Sequence, residues 1–142
     1  MKLQVRRLQV VDIMKKTKFF DLGTASYMPV WKRQEELHER VIAEKLKGEE
    51  TENYLLFVEH NHVYTLGKSG NEANMLINAI QLQAAHAEFV KVNRGGDITY
   101  HGPGQLVVYP IVDMANFGVG VKDYVECLGE IVIRTIGEYG IR

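Results

Sequence analysis

Hydrophobic and polar positions change period several times along the 142 residues, and each change marks an element. After Ser26, Val30, Trp31, Gln34, Leu37, Val41, Ile42 and Leu46 recur at threes and fours, the stripe of an amphipathic helix with one polar member. Pro29 falls in its first turn and Gly48 just past its last periodic residue, as helix starts and stops require. "VKDYVECLGEIVIRTIGEYG" repeats the pattern, with Val121, Val125, Leu128, Val132 and Ile136 on one face and Gly140 closing it. "KFFDLG", "NYLLFVEH", "HVYTLG", "EFVKVN" and "QLVVYPIVD" are rich in β-branched and aromatic residues and predict strands, the first closed by Gly23. Little more than Asn61 separates the second from the third, so they form a hairpin or one bent strand. Asn74 or Asn78 can cap a short helix over "NAIQLQAAHA". Helices and strands mix without strict alternation, which predicts an α/β (α+β) fold, a mixed sheet flanked by helices.

Composition narrows the class. Length predicts one domain, and neither repeats nor a Pro/Ser-rich linker divides it. Apolar residues make up 46% and charged residues 25%, the profile of a soluble globular chain. No run approaches the ~20 apolar residues of a membrane-spanning helix. A net charge of −1 supplies no bulk attraction to nucleic acid or anionic membrane. The single cysteine, Cys127, excludes an internal disulfide framework and suits the cytoplasm. Charge is uneven: Lys2, Arg6, Arg7, Lys15, Lys16 and Lys18 face only Asp12 near the start. That balance invites a targeting-peptide reading, yet the segment has no serine and "LQVRRLQVVDI" alternates like a strand. Residues 1–17 are read as a basic leader or N-terminal strand, and 18–142 as the domain.

The densest chemistry lies in "NRGGDITYHGPGQLVVYP", residues 93 to 110. Glycines between two strands ordinarily mark a hairpin or wide turn. A nucleotide cradle fits less well, because "RGG" lacks the spaced glycines and a strand follows where a helix N-terminus should be. Gly95 and Gly96 let backbone N–H groups approach a ligand with no Cβ in the way. Arg94 can fork two hydrogen bonds onto a carbonyl or carboxylate, or brace the loop. In extended backbone Thr99, His101 and Gln105 share one polar face, with Tyr100 and Leu106 turned into the core. A polar face beside an apolar strand suits an amphipathic, acyl-type ligand.

Two other features need weighing. His60 and His62, with Glu59 beside them and His101 on a neighbouring strand, have the residue types of a zinc site. The plainer reading is two histidines at a strand bend, one buried and one exposed. Cys127 sits mid-helix between apolar residues, where a lone cysteine ordinarily fills core.

"RGGDITYHGPGQLVVY" resembles the signature of the octanoyltransferases of protein lipoylation, R-G-G-x-x-T-aromatic-H-x-x-G-Q-x-apolar-x-Y. Arg94, Gly95, Gly96, Thr99, Tyr100, His101, Gly104, Gln105 and Tyr109 match it without a gap. "YLLFVEHNHVYTLGKSG" and "DLGTASYMPVWKRQEEL" are similar to two upstream segments of that family, so the likeness runs from about Lys18 to Arg142. It implies a fold like the catalytic domain of biotin and lipoate protein ligases. It also implies transfer of an octanoyl group from acyl carrier protein to a lysine, without a cofactor. The acceptors would be lipoyl domains of 2-oxo acid dehydrogenases and the glycine-cleavage carrier protein, with no nucleic acid or membrane as partner. Arg94, Gly95, Gly96, Asp97, Ile98, Thr99, Tyr100 and His101 would line the acyl site, with Tyr64, Leu66 and Gly67 as its opposite wall. An ATP-dependent lipoate or biotin ligase-like enzyme shares the arginine-glycine-glycine loop and is the rival reading; a non-catalytic acyl-binding fragment is another.

The resemblance also implies a cysteine nucleophile in a P-C-G segment and a lysine in K-I-x-x-I-G, a pair in which ammonium favours thiolate. Neither motif occurs in the sequence, so the family's catalytic cysteine and lysine are expected beyond Arg142 and no catalytic residue is assigned before it. Cys127 lacks the framing proline and glycine. A helix capped by Gly140, with only Ile141 and Arg142 to follow, reads as an N-terminal portion of a catalytic domain. The expectation is a chain that binds an acyl group and does not form an acyl-enzyme by itself.

Overall fold

The computed structural model describes residues 17–141. Residues 1–16, nearly all of the leader-or-strand segment, and Arg142 lie outside the described residues. The catalytic cysteine and lysine expected beyond Arg142 therefore fall outside them too. The strands are β1 (Thr17–Ala25), β2 (Asn53–His60), β3 (Val63–Leu66), β4 (Glu88–Lys91), β5 (Ile98–His101) and β6 (Leu106–Ile111). The helices are α1 (Tyr27–Leu46), α2 (Ala79–Ala84) and α3 (Val121–Glu138), with short 3-10 turns at Glu72–Asn74 and Met114–Phe117. The fold is mixed α/β as predicted, but the strands divide into two small mixed sheets, ordered β1-β2-β6 and β4-β3-β5. In each, a helical crossover joins a parallel pair, β1 with β2 through α1 and β3 with β4 through α2, and an antiparallel strand completes the sheet. Asn61 and His62 therefore mark a bend between sheets and not a hairpin, since β2 and β3 pair with different strands. The "GPG" turn makes the second crossing, carrying the chain from β5 to β6.

β2 is the middle of its sheet, and its alternation decides what is inside. Tyr54, Leu56, Val58 and His60 are at most 1% exposed. Leu37 and Val41 from α1 pack on Tyr54 and Leu56, flanked by Phe20, Leu22, Tyr109 and Ile111. Burying each large apolar side chain here contributes about 1.5–3 kcal/mol. The helix stripe is shifted from the predicted one: Tyr27, Val30, Leu37 and Val41 are buried, while Ile42 and Leu46 stay exposed. Ile42 instead faces a groove with Val112, Met114 and Val119; nothing in the structure explains Leu46. Gly23 does not close β1. It takes φ +57° at a register shift between Asp21 and Thr24, and the strand continues to Ala25. Asn78 caps α2, accepting from the Gln81 N–H while the Gln81 side chain accepts from the Asn78 N–H.

A polar latch joins the end of α1 to the turn after β6. The Asp113 carboxylate accepts from Lys45 Nζ at 2.7 Å, Thr51 Oγ1 at 3.2 Å and the Ala115 N–H at 3.1 Å. The Asp113 N–H donates to the buried Asn53 Oδ1. The Lys45 bond, then the Ala115 and Thr51 bonds, hold the Asp113 carboxyl below its ordinary range, against the opposing effect of burial. A depressed carboxyl stabilises the fold above its unfolded value, and that stability is lost as pH falls through the folded one. Asp113→Asn is expected to cost about 1 kcal/mol near pH 7, with the gap closing as pH falls below about 4. Urea denaturation across that range checks it.

α3 stands apart. Val121, Val125, Leu128, Val132 and Ile136 all remain exposed, and of the helix only Tyr124 is half-buried. Cys127 is exposed too, so its reading as core filling is corrected: no core surrounds it among the described residues.

Candidate functional site

The glycine loop rests on the end of β3. Lys68 N–H donates to Arg94 O at 2.9 Å, Gly67 N–H to Asp97 O at 3.2 Å, and Val92 N–H to Leu66 O at 2.9 Å. A Cβ at Gly67 would stand 2.3 Å from Gly96 O and 2.7 Å from Gly95 O. Only glycine lets the two backbones lie this close. Gly96 has φ +81°, which again favours glycine, whereas a Cβ at Gly95 would meet nothing within 4 Å. The peptide at Gly95 is thus bare and faces open space, while Gly67 and Gly96 are demanded by the loop's own geometry.

Arg94 braces that loop. Its Nη2 donates to Thr65 O at 2.8 Å, Thr65 Oγ1 at 2.7 Å and Asp97 O at 2.9 Å; Nη1 donates to Gly95 O at 2.8 Å, and Nε to Thr65 Oγ1 at 3.3 Å. Of the two roles open from the sequence, fork for a ligand or brace, the guanidinium is occupied with the second. The Asp97 carboxylate is occupied as well, accepting from the Asn71 N–H and from Asn74 Nδ2. Asp97 and Ile98 border a hollow of about 460 Å³ whose other walls are Tyr64, Asn74 and the apolar residues Met75, Leu76 and Ile77.

His101 is half-buried, with Nδ1 2.6 Å from Gln105 Oε1, so the two meet as their alternate spacing predicts. Because an amide oxygen only accepts, Nδ1 carries the proton and Nε2 is left to accept. Around it stands a cluster that the sequence reading did not assemble. The Tyr27 ring stacks on His101 at 6.3 Å between centroids, and His60 lies 5.9 Å from His101 and 5.9 Å from Tyr109. His60 is fully buried, its Nδ1 donating to Ala25 O at 3.1 Å and its Nε2 accepting from the Tyr109 hydroxyl at 2.9 Å. Burial lowers the His60 pKa from its usual value and raises those of the Tyr109 and Tyr27 hydroxyls. All three are neutral, a polar but uncharged floor beside His101.

A lowered histidine pKa stabilises the fold above the unfolded value, and that stability is lost as pH falls through the folded one. His60→Asn is expected to cost about 2 kcal/mol above pH ~7 and to flatten the loss of stability the native chain shows toward pH ~5. Denaturation midpoints at the two pH values check this.

Three orientations differ from expectation. Tyr100 is 43% and Leu106 63% exposed, so neither points into the core. Tyr100 lies opposite Tyr64 on the outer face of its sheet, with its hydroxyl 2.6 Å from His62 Nδ1. Leu106 pairs with Glu59 on the outer face of the other sheet, in the same phase as Tyr100, because the face covered by the rest of the fold is the one that carries Thr99 and His101 on β5 and Val107 and Tyr109 on β6. Thr99, expected on the polar face away from the core, is instead turned inward, opposite the buried Thr65, whose hydroxyl donates to Thr99 O. Leu66 is buried under the loop and Gly67 touches it, so of the opposite-wall candidates only Tyr64 borders the hollow. The zinc reading loses its geometry: both His60 nitrogens are engaged, and His62 lies past the bend against Tyr100. Among the described residues no group of three or more His, Cys, Asp or Glu is placed to hold a metal ion. Tyr27 and His60 could have been found by extending the helical stripe one turn back and the β2 alternation to its last residue.

A model of the lipoyl protein ligase A/B catalytic domain family matches residues 26–142. The chain belongs to that family. It is 51% identical over 133 residues to the octanoyltransferase of Flavobacterium johnsoniae, covering 89% of this chain and 57% of the relative. With the octanoyltransferase of Bacteroides thetaiotaomicron it shares 49% over 126 residues, covering 89% and 56%. The chain thus spans little more than half the length of the curated relatives it matches. Among solved structures, P. falciparum LipL1 in complex with lipoate is similar at 14% identity and TM-score 0.47, over 65% of this chain and 29% of that one. Within the ligase A/B family, the glycine loop, its Gly67 seat and the His101 cluster are the features that now need a chemical role.

Proposed function

We propose that residues 94–101 wall the binding site for an octanoyl group. The protein to which this chain corresponds would transfer that group from acyl carrier protein to the lysine of lipoyl domains and of the glycine-cleavage carrier protein, in the cytoplasm and without a cofactor. Residues 18–142 would be the N-terminal portion of a single acyltransferase domain, with the catalytic cysteine and lysine supplied from beyond Arg142. The observation that carries the reading is the bare peptide at Gly95, fixed by Arg94 and Gly67 and open on its outer side. Family membership and the octanoyltransferase relatives support it. Among the described residues no helix is long and apolar enough to cross a membrane.

The chemistry asks two things of such a site. A tail of eight carbons needs apolar walls, and the thioester carbonyl needs donors where negative charge develops as the amine adds. The amide bond forms as the carbon–sulfur bond breaks, and the thiol leaves with a proton. Backbone N–H groups at a glycine loop can face that oxygen without a Cβ intervening, and His101 Nε2, whose Nδ1 is committed to Gln105, is an acceptor for the proton of an approaching amine. Cys127 is not given the nucleophile's role. It is exposed on α3 and lacks the proline and glycine that frame the family's nucleophile.

Titration calorimetry of this chain with octanoyl-pantetheine and, separately, with ATP tests the reading. Saturable binding of the thioester with no heat from ATP is the expected result. Binding of ATP, with free octanoate bound only in its presence, would favour the ATP-dependent ligase reading instead.

A further inference from the structure

The apolar stripe on α3 is the largest feature that the acyl site leaves unused. Val125 is 61% exposed and Val132 58%, with Val121, Leu128, Ile133 and Ile136 also open to solvent. An amphipathic helix gains most of its stability from packing its apolar face, so a bare stripe of this length marks a missing neighbour. The outer face of the β1-β2-β6 sheet is underfilled in the same way, with Phe19, Leu106 and Val108 exposed.

The relatives carry the material to cover the α3 stripe, because the matched stretch is only 57% of the Flavobacterium johnsoniae protein and 56% of the Bacteroides one.

We propose that the Val121–Ile136 face of α3 is an intradomain docking surface. Its occupant is the part of the family's catalytic domain that the relatives possess and this stretch does not, whether joined to this chain or supplied separately. The occupant presents an apolar surface to the valine, leucine and isoleucine side chains and leaves the opposite face of α3, with its Arg134–Glu130 pair, in water. The inference rests on family membership and exposure, and does not depend on what the glycine loop binds.

Thiol accessibility tests it. Val125→Cys, Val132→Cys and, as a control on the charged face, Glu130→Cys are made in a Cys127→Ser background of this chain. The same three are made at the aligned positions of the intact Flavobacterium johnsoniae protein. In this chain all three should react with maleimide at similar rates. In the intact relative the two stripe positions should slow by about 100-fold or more, as for sites that need local opening, while the control stays fast. Hydrogen exchange on the unsubstituted proteins gives the same comparison without mutation: α3 amides fast here and protected there. Equal reactivity of stripe and control in the relative would overturn the proposal. So would protection in this chain that grows with protein concentration, which would make a second copy the occupant.

Discussion

Gly67→Ala is expected to destabilise the protein by about 3 kcal/mol, and so to lower its melting temperature by roughly 10 °C. The new methyl would stand 2.3 Å from Gly96 O and 2.7 Å from Gly95 O, and those are backbone atoms that cannot swing aside as a side-chain tip would. The loop must lift, which breaks the Gly67–Asp97 and Lys68–Arg94 hydrogen bonds together. Gly95→Ala makes the informative contrast. Its Cβ meets nothing within 4 Å and its φ is not in the left-handed region, so stability should change by less than about 0.5 kcal/mol. If an acyl group lies against that peptide, the same methyl should weaken octanoyl-pantetheine binding by about tenfold or more, a cost of over ~1.4 kcal/mol. Thermal melts and calorimetry on the pair separate seat from contact surface.

The second large effect belongs to Arg94. Replacement by alanine removes the guanidinium hydrogen bonds to Thr65 O, Asp97 O and Gly95 O, at an expected cost of about 3 kcal/mol. Lysine keeps the charge but not the planar fork that reaches both sides of the loop, and should recover only about 1 kcal/mol of that. Because the guanidinium is spent on the loop, acyl affinity should fall in proportion to stability in both variants. Were lysine to leave the urea midpoint unchanged while abolishing binding, Arg94 would be a ligand for the substrate and not a brace.

Much of this arrangement is readable from residue order. The threes and fours of α1, the alternation of "NYLLFVEH", the Asn78 cap and the concentration of glycine around Arg94 each follow from local physics, and the structure keeps them. What local pattern cannot say is which strands pair. The bend at Asn61 and the turn at Gly102–Gln105 both pass the chain between sheets, and alternation puts Tyr100 and Leu106 on one face without saying which face is covered: it is the side of Thr99, His101, Val107 and Tyr109 that turns inward. The demand for glycine at position 67 comes from a loop nearly thirty residues downstream, and nothing near it in the sequence signals the contact. Likewise, Tyr27, His60 and Tyr109 come from three elements and become one neighbour set only when α1 lies over β2 and β6. The α3 stripe has sound helical spacing but no surface beneath it, so periodicity read correctly as a helix was silent about burial.

The placement of the acyl group beside residues 95 and 96 is tested most directly by amide chemical shifts of the ¹⁵N-labelled chain titrated with octanoyl-pantetheine. The account predicts saturable movement of the Gly95 and Gly96 resonances, with Ile98, Thr99 and His101 following on the same isotherm and the α3 amides still. Saturation that moves other residues and leaves the glycine pair untouched would contradict it.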